Sequence, residues 1–195
     1  EQAKLYSHSP NYRLMYMAYI DHRSLMSLNN TISSTFLTKN QWSGSFGILY
    51  NTENLRDSLT FKEDEVFVPI GKYSFPSFDF RISTPGTRPF FIMLGTEGGQ
   101  FFDGSRLSVN LQPTWNVTKH LELGATYNFD WLNFKERGQE MINHILGIKT
   151  LFMLDTRLSI SAYIQYNSAV KDILTNLRLR YNPREGNDFY IVFNE

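Results

Sequence analysis

The stretch "RLSISAYIQYN" (residues 157–167) decides the fold class. Leu158, Ile160, Ala162, Ile164 and Tyr166 take every second position, and Ser159, Ser161, Tyr163, Gln165 and Asn167 fill the places between. Successive side chains of a strand point to opposite faces, so a period of two builds one apolar and one polar face. The same period runs through "HLELGATYNFDW" (120–131), "RLSVNLQPTW" (106–115) and "ILTNLRLRYN" (173–182), and more loosely through "QWSGSFGILY" (41–50) and "SFDFRIS" (77–83). Working outward from these gives strands at 12–22, 27–38, 42–51, 73–84, 89–96, 105–116, 120–133, 141–154, 157–167, 171–182 and 188–194. No convincing helical stretch longer than a few turns interrupts them. The chain reads as one all-β domain over 1–195, with no linker and no internal boundary.

Composition narrows the class. Lys+Arg and Asp+Glu both number 19, so neither a nucleic-acid partner nor a disordered acidic tail is expected. Charged residues make up 19%, below the roughly 25% of ordinary soluble domains, while aromatics reach 15%. Cysteine is absent, which excludes disulfides and thiolate metal sites. The sequence opens on "EQAKLYSHSP" without an apolar leader, so a processed chain or a section of a longer one is expected.

Two all-β architectures fit this pattern. A soluble sandwich or barrel turns its apolar faces inward and sets Lys and Glu outside. An outer-membrane barrel turns them to lipid and lines a lumen with polar residues. The polar faces here are mostly Ser, Thr, Asn, Gln and Gly, with scattered charges at Glu122, Asp130, Lys149, Arg178 and Arg180. That composition suits a solvated lumen. Aromatics near strand ends (Trp115, Trp131, Tyr166, Tyr181, Phe193) suit interfacial girdles, since an amphipathic ring sits well at headgroup level, although packing under loops also accounts for them. Several strands run about ten residues, the length that crosses a bilayer when tilted. The expected fold is therefore an antiparallel transmembrane β-barrel of about 10–11 strands in this chain, with a lipid bilayer as partner.

The segments "SRLSVNLQPTWNVTKHLELGATYNFDWLNF" (105–134), "GGQFFDG" (98–104) and "RLSISAYIQYNSAVKDILTNLRLRYNPREGNDFYIVFNE" (157–195) resemble the C-terminal barrel region of a family of Gram-negative outer-membrane proteins. Its members carry an N-terminal family-9-like carbohydrate-binding sandwich followed by a barrel domain of unknown function. "AYIQYNS" and "RYNPREGND" are the specific part, and the resemblance covers about residues 95–195. It implies the cell outer membrane and possible protein partners in an outer-membrane assembly. It supplies no reaction, cofactor or catalytic residue, and the sandwich has no counterpart in this sequence.

Bacterial barrels have even strand numbers, short periplasmic turns and longer outer loops. "VTKH" and "LDTR" read as short turns, "EGGQFFDG" and "KERGQE" as longer loops, and "NSAVKD" as intermediate. With the short turns on the periplasmic side, "NPREGN" is periplasmic too and strand 188–194 runs outward. On that count the chain is a C-terminal section of a larger barrel that lacks the final strand. In the alternative, "NPREGN" is an outer turn and Phe193 closes the barrel. The segment "NTENLRDSLTFKEDEVFVPIG" (51–71) is the longest break and reads as a loop or a folded-in excursion.

Chemistry-bearing motifs are sparse. His8, His22, His120 and His144 show no metal-binding spacing, and no nucleophile elbow, phosphate loop or dinucleotide fingerprint occurs. No catalytic residue, metal or cofactor is expected. Glu63, Asp64 and Glu65 in "FKEDEV" are a solvated acidic loop or a surface cation site. "NNT" (29–31) and "NVT" (116–118) match the glycosylation sequon by accident of a strand context. Arg184, Glu185 and Asp188 suggest a salt bridge local to the last turn. The candidate lumen-facing residues are Glu122, Asp130, Lys149, Asn176, Arg178 and Arg180, which either tune ion preference or form a structural ion-pair network. The expected role is non-enzymatic: transport, or structural service in an outer-membrane assembly. The alternative is a soluble all-β carbohydrate- or lipid-binding module.

Overall fold

The computed structural model describes residues 5–20, 24–61 and 66–195. Its strands are β1 (Leu5–Ala18), β2 (Leu25–Thr38), β3 (Ser43–Leu55), β4 (Leu59–Phe61), β5 (Val66–Val68), β6 (Gly71–Ser83), β7 (Phe90–Phe101), β8 (Gly104–Thr118), β9 (Leu121–Phe134), β10 (Gln139–Met153), β11 (Leu158–Asn167), β12 (Asp172–Arg184) and β13 (Asn187–Asn194). Eleven of them form one antiparallel meander in the order β1-β2-β3-β6-β7-β8-β9-β10-β11-β12-β13, and β4 with β5 forms a separate hairpin. The all-β, antiparallel reading of the sequence therefore holds. Closure does not appear: among the described residues β1 and β13 each have one strand neighbour, so the sheet is open.

Pairing preserves the two-residue period from strand to strand. Asp130 on β9 lies opposite Ser108 on β8 and Asn143 on β10, while Phe129 lies opposite Val109 and His144. One face therefore collects Ser, Thr, Asn and charged groups across the meander, and the other collects Val, Leu, Ile and aromatic side chains. Few of the latter are covered. Ile48, Ile148 and Ile191 are 54%, 54% and 70% exposed. Buried hydrophobic residues number only Val66, Val68, Phe75, Leu132 and Phe134 among the described residues.

Several strand boundaries differ from the sequence reading, and β3 runs on to Leu55, past the expected end at residue 51. The strand expected at 12–22 is β1, which starts at Leu5 and ends at Ala18. Pro10 lies within it and interrupts the local pattern. An edge strand tolerates a proline, because it needs ladder donors on one side only. The loop expected at "EGGQFFDG" is also strand: β7 runs to Phe101, β8 starts at Gly104, and Phe102 and Asp103 alone make the turn. Phe102 takes a left-handed backbone (φ 55°) to do so. Its ring packs on Tyr73 and Phe75 of β6, each at 5.2 Å, so tertiary packing holds a backbone conformation that a bulky residue seldom adopts.

The other short connections follow local chemistry. In the link between β10 and β11, Asp155 Oδ1 accepts the backbone N–H groups of Arg157 (2.7 Å) and Leu158 (2.9 Å). These two donors hold the Asp155 carboxyl below the ordinary aspartate range. Gly186 at φ 85° supplies the left-handed residue between β12 and β13. Asp188, expected to pair inside this turn, instead accepts from Arg180 Nε (2.7 Å) and Asn182 Nδ2 (3.1 Å) across the strands.

The connections that follow β2, β6, β8, β10 and β12 lie at one end of the sheet, here the turn end. Those that follow β1, β3, β7, β9 and β11 lie at the other, the loop end. The expected excursion between β3 and β6 folds back at the loop end as the β4–β5 hairpin. Val66 and Val68 pack there on Leu132 and Phe134, with Leu55, Phe61, Tyr73, Phe101, Phe102 and Met141 around them. The stretch 62–65, which holds the acidic cluster of "FKEDEV", lies outside the described residues, as does His22.

Candidate functional site: the polar trough

The polar face is hollow. Two adjoining depressions of about 820 and 540 Å³ share Thr35, Ser45, Arg81, Glu97 and Arg106, and together reach from Arg13 on β1 to Ile145 on β10. Register explains the arrangement of charge in this trough. Asp79 lies directly opposite Glu97, Glu97 opposite Ser108, and Ser108 opposite Asp130, so three carboxylates share one hydrogen-bonding row. Two residues toward the turn end, Arg81 lies opposite Gly95 in the next row. Two residues toward the loop end, Arg106 lies opposite Gly99. The acidic row is thus flanked on both sides by guanidinium groups.

Arg106 ties this layer together. Its Nη2 lies 3.7 Å from Asp130 Oδ1 and 3.9 Å from Glu97 Oε2, and its Nε donates to Ser108 Oγ at 2.9 Å. Ser108 Oγ donates to Asp130 at 2.5 Å. The side chains of Arg106 and Glu97 are 37% and 52% exposed, so solvent screens their attraction and the pair itself adds little stability. Small residues make room. A β-carbon at Gly47 would collide with the Asp79 carboxylate, so the glycine lets that group lie against the neighbouring strand.

The chain matches no family model, no curated protein and no solved structure.

The six residues singled out from the sequence all lie on the polar face, but the fold does not gather them. Asp130 alone lines the trough. Glu122 and Lys149 form an exposed pair at 3.3 Å near the turn end. Asn176 hydrogen-bonds Asn194, Arg178 lies over the Tyr190 ring at 4.4 Å, and Arg180 is tied to Asp188, all on the last two strands. Residues that sequence reasoning misses carry more of the trough: Arg13, Asp79, Arg81, Glu97 and Arg106. A signal exists for two of them, since Asp79 and Arg81 alternate with Phe78, Phe80 and Ile82 in "SFDFRIS". Glu97 lies in the glycine-containing stretch that reads locally as a loop.

Each of the three described histidines has a hydrogen-bond partner. His120 Nδ1 lies 2.7 Å from the Met153 carbonyl, His144 Nδ1 lies 2.8 Å from the Tyr127 hydroxyl, and His8 meets Ser34. Among the described residues no group of three or more His, Cys, Asp or Glu side chains is placed to hold a metal ion. What the trough offers chemically is a layered surface of carboxylates, guanidinium groups and hydroxyls able to solvate polar or ionic solutes.

Proposed function

We propose that this chain is part of a transmembrane antiparallel β-barrel in the outer membrane of a Gram-negative bacterium, with a non-enzymatic role in solute passage or in an outer-membrane assembly. One observation carries the reading: the apolar face of an eleven-stranded meander is exposed, while the buried apolar core among the described residues is five side chains. Soluble monomers seldom expose contiguous apolar patches beyond a few hundred Å². Covering each large side chain is worth about 1.5–3 kcal/mol, so a face this long calls for a hydrocarbon environment. Outward apolar and inward polar side chains are the lipid-facing and lumen-facing sets of such a barrel. Trp115 and Trp131 lie on the apolar face at opposite ends of the sheet, where interfacial girdles form. The resemblance of residues 95–195 to the outer-membrane family described above supports the same reading.

In hydrocarbon, free strand edges cost several kcal/mol per unpaired group, by order of magnitude. The reading therefore requires the outer edges of β1 and β13 to be paired, either with each other or with further strands of a larger barrel. Membrane fractionation and heat-modifiable migration of the expressed protein test it. Recovery in the outer-membrane fraction, with a folded band that shifts on boiling, is expected. A monodisperse, detergent-free monomer in the aqueous phase would overturn it in favour of a soluble all-β binding module.

A further inference from the structure

At the loop end the polar face carries apolar side chains that are covered, whereas apolar residues elsewhere on that face, such as Met93 and Met153, are exposed. Glu122, Gly124, Thr126, Asn128 and Asp130 follow the polar alternation of β9, yet the next two positions on the same face are Leu132 and Phe134. Both are buried, at 4% and 1% exposure, and what buries them is the β4–β5 hairpin. Val66 and Val68, at 1% and 0%, face the sheet. Between them Phe67 is gripped by its backbone: Arg137 Nη2 donates to its carbonyl at 2.9 Å, and its N–H donates to Gln139 Oε1 at 3.4 Å. Arg137 is itself held by an ion pair to Asp103 and lies 4.4 Å over the Phe134 ring. The sheet is shaped for this seat, since a β-carbon at Gly104 would strike the Phe134 ring.

The trough runs into this assembly. Its loop-end wall is made by Phe75, Phe101 and Phe102, and the Phe101 ring also contacts Phe61 of the hairpin at 6.1 Å. Around the hairpin the packed side chains come from β3, β6, β7, β9 and β10, so it bridges the hollow of the curved sheet and not merely one rim. We propose that the β4–β5 hairpin is a resident plug: it shuts the loop-end mouth of the trough, making the polar face a blind pocket entered from the turn end. This rests on the barrel reading above and sharpens it, because a plugged barrel conducts only when the plug leaves. Opening requires Val66, Val68, Leu132 and Phe134 to be wetted together, which opposes spontaneous release.

The test uses the full-length protein in planar bilayers and liposomes. Wild type should conduct close to baseline. Replacing Val66→Asp with Val68→Asp places two charges in the apolar seat and should raise steady conductance roughly tenfold or more. Arg137→Gln, a milder change, should give brief openings. Residues 1–195 hold no cysteine, so Ser45→Cys, with any cysteine elsewhere in the full-length protein replaced by Ser, supplies a single thiol in the trough. A membrane-impermeant maleimide should label it from one side of the bilayer in the otherwise wild-type protein, and from both sides with the double aspartate change. Wild-type conductance equal to that of the variants, or labelling from both sides in wild type, overturns the plug while leaving the barrel intact. So does a silent double variant that keeps its heat-modifiable fold. Failure of the wild type to insert at all overturns both readings.

Discussion

The two ends of the polar face are built on different principles. At the loop end an apolar hairpin sits on apolar partners contributed by strands far apart in sequence, and the fully buried hydrophobic side chains of the described residues collect there. At the turn end the same face carries the Ser43–Ser83 hydroxyl pair and the Glu122–Lys149 ion pair beside uncovered apolar side chains, Met93 and Met153 at 44% and 41% exposure. Strand pairing continues to both ends, with register shifts at Asn116/Thr118 and Tyr181/Arg184 by the turns and at Met17/Ala18 by the loops. The difference therefore lies in what covers it, and it shows that strand alternation settles the walls of this molecule while a few exceptions to alternation settle where the hollow is shut.

That contrast can be broken experimentally, beginning where the expected loss of stability is greatest. Phe134→Ala removes a fully buried ring beneath the hairpin and should cost about 3–5 kcal/mol in denaturant unfolding, whereas Met93→Ala at the open end should stay within about 0.5 kcal/mol. Similar losses at both sites would erase the distinction between the ends. Arg137→Ala takes a charge-assisted donor from Phe67 and a partner from Asp103, and should weaken the hairpin by about 2 kcal/mol. Faster amide exchange at residues 66–68, with β8–β9 protection unchanged, is the expected signature. A third change probes the trough between the ends. Arg106→Ala leaves Asp79, Glu97 and Asp130 in one row without the cation that Glu97 and Asp130 share, so a protein opened by the hairpin substitutions should shift its reversal potential toward cations. An unchanged potential would mean that solutes bypass this row.

The smallest effect belongs to the turn end. The Asp155 carboxyl is held below its ordinary value by the Arg157 and Leu158 N–H groups. A lowered folded-state pKa contributes stability above the unfolded value of about 3.9 and loses it as pH falls through the folded value. Wild type and Asp155→Asn should thus differ slightly in melting temperature near neutrality and converge in acid. A difference that grows on acidification would refute this account.

Sequence patterning makes the sheet legible because alternation is a local property. All eleven long strands are visible in it, and the runs 120–133 and 157–167 agree within a residue or two with β9 and β11. The misreadings are tertiary in origin. "EGGQFFDG" has the glycines of a loop, yet the packing of Phe101 and Phe102 under the hairpin carries the strand through it. Leu132 and Phe134 look like the end of an alternating run, since nothing local says that a distant hairpin will cover them. The trough is only partly legible for a related reason. Which charges share a row depends on register across several strands, and no single segment states that register.

The spacing of the hairpin from its seat also dictates an order of assembly. Every pairing in the main sheet joins strands adjacent in the chain once the excursion is set aside, so the meander can grow by successive neighbours. Phe67, however, meets Gln139 across 72 positions of sequence. Its landing place exists only after β9 and β10 have paired. The hollow is therefore wet and reachable while the sheet is being laid down, and seals as a late event. Pulse-labelled amide exchange would record this as protection at β2–β3 preceding protection at residues 66–68.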